Sequence, residues 1–156
     1  MRNPALRLAF SVGLGVLVID QLTKNWARDS FADGPTEVLG DWLRFKYSQN
    51  PGAAFSTFTD AGQFIGVIAI AVSAFIVYLI ARTSRRVELV ALGLILGGAL
   101  GNLTDRIFRG EGVLDGSVVD WIDWWFIPTF NVADASLNVG VALLLIAALL
   151  FPATNE

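Results

Sequence analysis

Long apolar stretches alternate with shorter polar ones along the chain. Four of the apolar stretches are long enough for membrane-spanning helices, at about residues 5–25, 61–81, 87–106 and 133–152. The stretch at 61–81 is the clearest, because it carries no charged residue over a full span. The pattern predicts an all-α membrane protein in which residues 1–156 form a single domain, a bundle of four transmembrane helices.

The first apolar stretch has an alternative interpretation. Its uninterrupted run from Leu8 to Ile19 is short, and Arg2 and Arg7 precede it, as in a signal peptide. However, no small-x-small cleavage site follows, because the run ends in the polar sequence DQLTK at 20–24. We therefore favour a spanning helix whose outer end is polar.

Residues 26–60 are polar and rich in turn-forming residues, but a short part of them alternates. Leu43, Phe45 and Tyr47 share one face, whereas the residues between them, Arg44 and Lys46, point the other way. This period of two predicts a strand. A short hairpin lying on the membrane surface is the simplest structure that accounts for it.

Glycine recurs every four residues in the third stretch, at Gly93, Gly97 and Gly101. One face of that helix is therefore bare, and a neighbouring helix can pack closely against it.

Basic residues set the expected orientation. The second and third stretches are joined by a short connection with Arg82, Arg85 and Arg86, and short cytoplasmic loops are enriched in such residues. Six basic residues fall outside and five inside, so the orientation depends on the shortness of this hairpin and not on a count. Both termini are predicted to be cytoplasmic.

In this orientation, polar residues gather at the outer end of the bundle, and so do all five tryptophans, which favour membrane interfaces. Carboxylates beside hydrocarbon are costly, so they indicate a functional site. The polar residues at this end are Asp20, Asn50, Asn102, Asp105, Arg106, Asp120 and Asp134.

The composition limits the chemistry of such a site. The chain has no His and no Cys, which excludes Ser-His and Cys-His nucleophiles and cysteine metal sites. The net charge is only −3, and no Lys/Arg run indicates nucleic-acid binding. Two nearby carboxylates can share a proton and act as base and acid, with no metal or cofactor.

Each carboxylate also has a structural interpretation. Asp105 could pair with the adjacent Arg106, and Asp134 could cap the fourth helix. Asp123 lies among tryptophans and is expected to face solvent. Asp120 and Asp134 are the two best placed to be half-buried at the membrane boundary, although sequence position alone favours them only weakly.

The motifs DQLTK, NPGAAFS, GGALGNLTDR, VVDWID and FNVAD, in this order, resemble those of the lipoprotein signal peptidases, also called signal peptidase II. The resemblance runs from Asp20 to the fourth helix. It implies an intramembrane aspartic endopeptidase of the bacterial cytoplasmic membrane, with its active site near the outer face and a small extracytoplasmic β-cradle. Such an enzyme cuts diacylglyceryl-modified prolipoproteins on the N-terminal side of the lipidated cysteine.

The resemblance also implies roles for individual residues. Asp120 and Asp134 match the catalytic pair. The partners that the resemblance implies are prolipoprotein signal peptides, membrane lipids and globomycin-type inhibitors. The residues that match supporting and substrate-contacting positions are Asp20, Lys24, Asn50, Gly52, Asn102, Asp105, Arg106 and Asn131.

A small proton-coupled transporter is the alternative function, because intramembrane carboxylates serve as proton relays there. Against it, the polar residues lie at one end only, and the middles of the second and fourth stretches are apolar.

Overall fold

The computed structural model describes residues 4–52 and 61–150 of the chain. Over these residues it has four long helices: α1 (Pro4–Ser30), α2 (Ala61–Arg82), α3 (Arg86–Phe108) and α4 (Val132–Leu150). Each is long and apolar enough to cross a membrane. Large apolar side chains such as Leu14, Phe64 and Leu145 are exposed, which suits a hydrocarbon environment. The predicted four-helix membrane architecture is confirmed.

The central helix is α3, against which α1, α2 and α4 pack. Glycines bring α1 and α3 together, as predicted: a Cβ added at Gly93 would lie 2.5 Å from the carbonyl oxygen of Ala9, and one at Gly97 2.5 Å from that of Gly13. The third glycine differs, because a Cβ at Gly101 would lie 2.6 Å from the carboxylate of Asp20. This glycine makes room for a charged side chain and not only for a helix.

A small antiparallel sheet covers one end of the bundle. Its strands, in spatial order, are β1 (Thr36–Glu37), β2 (Leu43–Asn50) and β3 (Val118–Trp124). The predicted strand is therefore present and forms a short hairpin with β1, but the hairpin is not the whole sheet, because the longer pairing of β2 is with β3 from beyond α3. In this pairing Ser48 lies opposite Asp120, close to the end of β2.

Aromatic side chains attach the sheet to α1. The ring of Trp26 meets those of Phe31 and Trp121 edge-to-face, with centroids 4.9 and 5.3 Å apart, and Phe45 meets Trp121 at 5.1 Å. Helix α1 continues to Ser30, past its predicted end near residue 25, and so carries Ala27 into this cluster. The cluster fixes the strand from which Asp120 projects.

Some sequence predictions fall outside the described residues. These are Arg2, the segment 53–56 of the NPGAAFS motif, and residues 151–152 at the end of the predicted fourth span.

Candidate active site

Most of the predicted site residues meet in one hydrogen-bonded network at the sheet end of the bundle. The network is assembled from the sheet-side halves of α1 and α3, the end of β2, strand β3 and the first turn of α4. Its members are Asp20, Lys24, Asn50, Asn102, Asp105, Asp120, Asn131 and Asp134.

Asp120 lies on β3 and is only 3% exposed. One carboxylate oxygen accepts from Asn50 Nδ2 at 3.0 Å and the other from Asn131 Nδ2 at 2.7 Å. The pKa of Asp120 is raised to about 6. Burial is the main cause; the hydrogen bond from Asn50 lowers the pKa, and the charge of Asp134 raises it further. This carboxyl group therefore holds a proton more readily than an ordinary aspartic acid.

Asp134 lies in the first turn of α4 and is half-buried. Its backbone N–H donates to Asn131 Oδ1 at 2.9 Å, and its Oδ2 accepts the backbone N–H of Asn131 at 3.2 Å. This reciprocal pair is a capping arrangement, so the structural interpretation of Asp134 holds. It does not exclude chemistry, because Oδ1 accepts from Asn102 Nδ2 at 2.8 Å and the residue also lines a cavity.

Two asparagine amides join the two aspartates. Asn131 Nδ2, which binds Asp120, also lies 3.2 Å from Asn102 Oδ1, and Asn102 Nδ2 binds Asp134. Asp120 and Asp134 are thus connected through Asn131 and Asn102. Asn131 is fully buried, and its amide also donates to the carbonyl oxygen of Val119 and accepts the backbone N–H of Asp134, so it supports the two aspartates.

Beneath the two aspartates lies a fully buried ion cluster centred on Lys24. Its Nζ lies 2.8 Å from Asp20 and 2.9 Å from Asp105. Asp20 accepts the backbone N–H of Ala133 at 2.9 Å, and Asp105 accepts that of Val119 at 3.0 Å. Each of these N–H groups belongs to the residue just before Asp134 or Asp120, so the cluster fixes the backbone from which both carboxylates project.

The expected ion pair between Asp105 and Arg106 is replaced by another. Asp105 pairs with Lys24 and with Arg109, whose Nε lies 2.9 Å away, because residues four apart share a helix face. The guanidinium of Arg106 instead lies at the cavity and donates to the carbonyl oxygen of Gly116 at 3.4 Å.

A cavity of about 510 Å³ opens beside the two aspartates. Its polar end holds Asp120, Asp134, Asn50, Asn102 and Arg106, whereas its other part is lined by apolar residues of α2, α3 and α4 such as Ile68, Ala99 and Leu137. It therefore suits a chain with both a peptide backbone and an apolar portion.

Gly52 borders the same cavity and has a φ of 95°, which favours glycine. A Cβ there would lie 2.8 Å from Ile65, and the Gly52 N–H donates to Asn50 Oδ1 at 2.9 Å. The glycine thus turns the chain so that the Asn50 amide faces Asp120.

Sequence reasoning missed two residues of the network. Gln21 donates to Asp105 Oδ1 and to the carbonyl oxygen of Gly101, each at 3.0 Å, and Arg109 pairs with Asp105. The signal was present in the spacing, since Gln21 is three residues before Lys24 and Arg109 four after Asp105.

Asp123 lies outside the network. Its carboxylate pairs with Arg44 at 2.7 Å and Lys46 at 3.1 Å across the sheet. Burial raises the pKa of Asp123, but Lys46 and Arg44 outweigh this and hold it below its ordinary value. Asp123 therefore stabilises the sheet, and neither it nor its two partners line the cavity.

Known proteins resemble the chain over most of its length. A family model described as "Signal peptidase (SPase) II" matches residues 12–150. A "Lipoprotein signal peptidase" of Rhodococcus jostii is 42% identical over 147 residues, which are 92% of this chain and 73% of the relative. One from Streptomyces coelicolor is 45% identical over 116 residues, 72% of this chain and 55% of the relative, so the chain spans little more than half of that protein.

Solved structures agree with the sequence comparisons. A structure titled a bacterial membrane enzyme at 1.9 Å resolution superposes with a TM-score of 0.79 at 32% identity, covering 94% of each chain. A second, at 2.3 Å, gives a TM-score of 0.77 at 30% identity, covering 95% of this chain and 91% of the other.

Proposed function

Because the chain belongs to the signal peptidase II family, we propose that it is an intramembrane aspartic endopeptidase that processes diacylglyceryl-modified prolipoproteins. It removes the signal peptide by cutting on the N-terminal side of the lipidated cysteine. The observation that carries the proposal is the pair Asp120 and Asp134, which meet at the polar end of one cavity and are joined through asparagine amides.

The two carboxyl groups have different surroundings, which supports different roles. Asp120 is buried and its raised pKa of about 6 makes it the carrier of the shared proton. Asp134 accepts a backbone N–H at the start of α4, where the helix dipole favours a negative charge. In our proposal Asp120 begins as the acid and Asp134 as the base.

The reaction then follows in two steps. Asp134 takes a proton from water while the hydroxyl adds to the scissile carbonyl carbon, and Asp120 gives its proton to the carbonyl oxygen. The tetrahedral intermediate collapses as its C–N bond breaks and Asp134 returns the proton to the leaving amine. The carboxylate of Asp120 recovers its proton from the hydroxyl group of the intermediate.

The apolar lining of the cavity is consistent with a substrate that enters from the bilayer. Helices α2 and α4 both pack on α3, and each contributes apolar side chains to the lining, such as Ile68 and Leu137. An unwound peptide there must satisfy its own N–H and C=O groups. Arg106 and Asn50 line the polar end and are our proposed substrate-contacting groups.

The remaining assignments complete the proposal. The chain resides in the bacterial cytoplasmic membrane with both termini inside and the active site near the outer face. Residues 1–156 act as one peptidase domain, without metal or cofactor. Membrane lipids surround the helices, and globomycin-type inhibitors compete with the prolipoprotein for the cavity.

The test is cleavage by the purified protein in detergent, without any ion gradient. A prolipoprotein carrying diacylglyceryl should yield a product whose first residue is the lipidated cysteine, as read by mass spectrometry. The same precursor without the lipid is the control. No cleavage by folded protein in detergent, together with gradient-dependent transport in vesicles, would instead establish the proton-coupled transporter.

A further inference from the structure

The buried ammonium of Lys24 does more than neutralise two carboxylates. Its Nζ also donates to Asn102 Oδ1 at 2.9 Å. At the other end of the same amide, Asn102 Nδ2 donates to Asp134 Oδ1 at 2.8 Å. The Asn102 amide thus stands between a fixed cation and the carboxylate that we propose as the base.

An asparagine amide can turn over and exchange its oxygen for its NH₂ group. In Asn102, a turned amide would direct N–H groups at the Lys24 ammonium and at Asn131 Nδ2, which lies 3.2 Å from Asn102 Oδ1. Donors would then face donors inside a buried network, which is costly. Lys24 and Asn131 therefore fix the amide from the side away from Asp134.

The consequence concerns the proton cycle of the base. Ionised Asp134 can only accept, so it selects an N–H from Asn102 by itself. Protonated Asp134 can donate, and it would be stabilised by the oxygen of a turned amide. If nothing else fixed the Asn102 amide, it would turn whenever Asp134 became protonated. Its oxygen would then accept the proton of Asp134 in a hydrogen bond and stabilise the protonated form.

We propose that Lys24 is a positioning residue for the catalytic pair, which acts by keeping the Asn102 N–H directed at Asp134 in both protonation states. This inference rests on the proposed function of Asp134 as the base. The other charged groups around these side chains are Asp20, Asp105, Arg106, Arg109 and Asp120.

Removing Lys24 alone would leave Asp20 and Asp105 buried with fewer partners, and such a variant is prone to misfold. The test therefore uses Asp20→Asn as the background and compares it with Asp20→Asn/Lys24→Met. The asparagine oxygen can still accept from Ala133, and methionine keeps the length of lysine without a donor. In the background, the new NH₂ group replaces the Asp20 oxygen that lies 2.8 Å from the Lys24 ammonium, so the Tm and helix content of both variants are measured before their kinetics.

Relative to the Asp20→Asn background, the added Lys24→Met should lower kcat roughly tenfold to a hundredfold, with KM changed less than about twofold. The acidic limb of the pH dependence of kcat should also differ between the two variants, because a turned Asn102 amide would accept a hydrogen bond from protonated Asp134. Unchanged kcat and an unchanged acidic limb would overturn the proposal and leave Lys24 as a charge partner only.

A second measurement does not need a folded variant or any activity. In protein labelled with ¹⁵N-asparagine, the Asn102 NH₂ signals, identified by their contacts to Asp134, should keep one hydrogen-bonded form between about pH 4 and pH 8. A second, exchanging form at low pH would refute the fixed amide. If the amide is fixed but Asp134→Asn cleaves normally, the proposed base is wrong and the positioning geometry still stands.

Discussion

Replacing Gly97 by alanine should separate α1 from α3 and weaken the site. The added Cβ would lie 2.5 Å from the carbonyl oxygen of Gly13 and 2.6 Å from the Cβ of Val16, both closer than such atoms approach in folded proteins. Neither atom is the end of a flexible side chain, so the backbone of α1 or α3 must move. Overpacking of this kind costs about 1–3 kcal/mol.

The same displacement should reach the site. Lys24 on α1 contacts Asn102 and Asp105 on α3 over 2.9 Å each, and a shift of a few tenths of an ångström weakens these contacts. For a chain of this size, about 1–3 kcal/mol corresponds to roughly 2–12 °C in Tm. We therefore expect both a lower Tm and slower cleavage.

Gly15→Ala is the matched control, because Gly15 lies on α1 and a Cβ there meets nothing within 4 Å. Thermal unfolding in detergent and cleavage of a lipidated precursor should be measured for both variants. Gly15→Ala should cleave like the parent protein and be as stable or up to about 1 kcal/mol more stable, because alanine favours the helix over glycine. If Gly97→Ala unfolds and cleaves like Gly15→Ala, the close α1–α3 contact is refuted.

Three further predictions concern metal, orientation and the sheet. Cleavage should survive EDTA, because carboxylates can act without an ion; loss on chelation with recovery on adding a divalent cation would make them ligands. In whole cells, an impermeant thiol reagent should label a cysteine introduced at Thr36 but not one at Ser84, and the reverse pattern would invert the orientation. Asp123→Asn should keep cleavage but lower Tm at pH 7. Because the pKa of Asp123 lies below its ordinary value, the ionised carboxylate stabilises the fold at neutral pH, and this stabilisation is lost as the pH falls toward that pKa. A variant as stable as the parent at pH 7 would contradict the pairing with Arg44 and Lys46.

The spans could be predicted because the membrane imposes length and apolar composition on each helix. The glycine repeat similarly indicated a close helix contact, and the alternation at 43–47 indicated a strand. The pairing of β2 with β3 could not be predicted, because the two strands are separated in sequence by α2 and α3. Local periodicity contains no information about such a partner.

The candidate site could also be predicted only in part. One-sided clustering of Asp120 and Asp134 was visible once the spans were placed. The i,i+4 spacing of Asp105 and Arg109 was also readable from the sequence, because residues four apart share a helix face. The approach of Lys24 from α1 to the same carboxylate was not, because it depends on how α1 and α3 pack. Likewise, the burial of Asn131 depends on how β3 and α4 meet, which only the folded chain determines.

The central claim is that Asp120 and Asp134 carry out the cleavage. The most direct measurement is the turnover of a lipidated precursor by Asp120→Asn, Asp134→Asn and the double variant, with helix content and Tm confirming that each is folded. Each single change should reduce turnover by about 10²–10⁴, and the double variant should be little worse, because the two groups act as a unit. Near-parental turnover by either folded single variant would contradict the assignment.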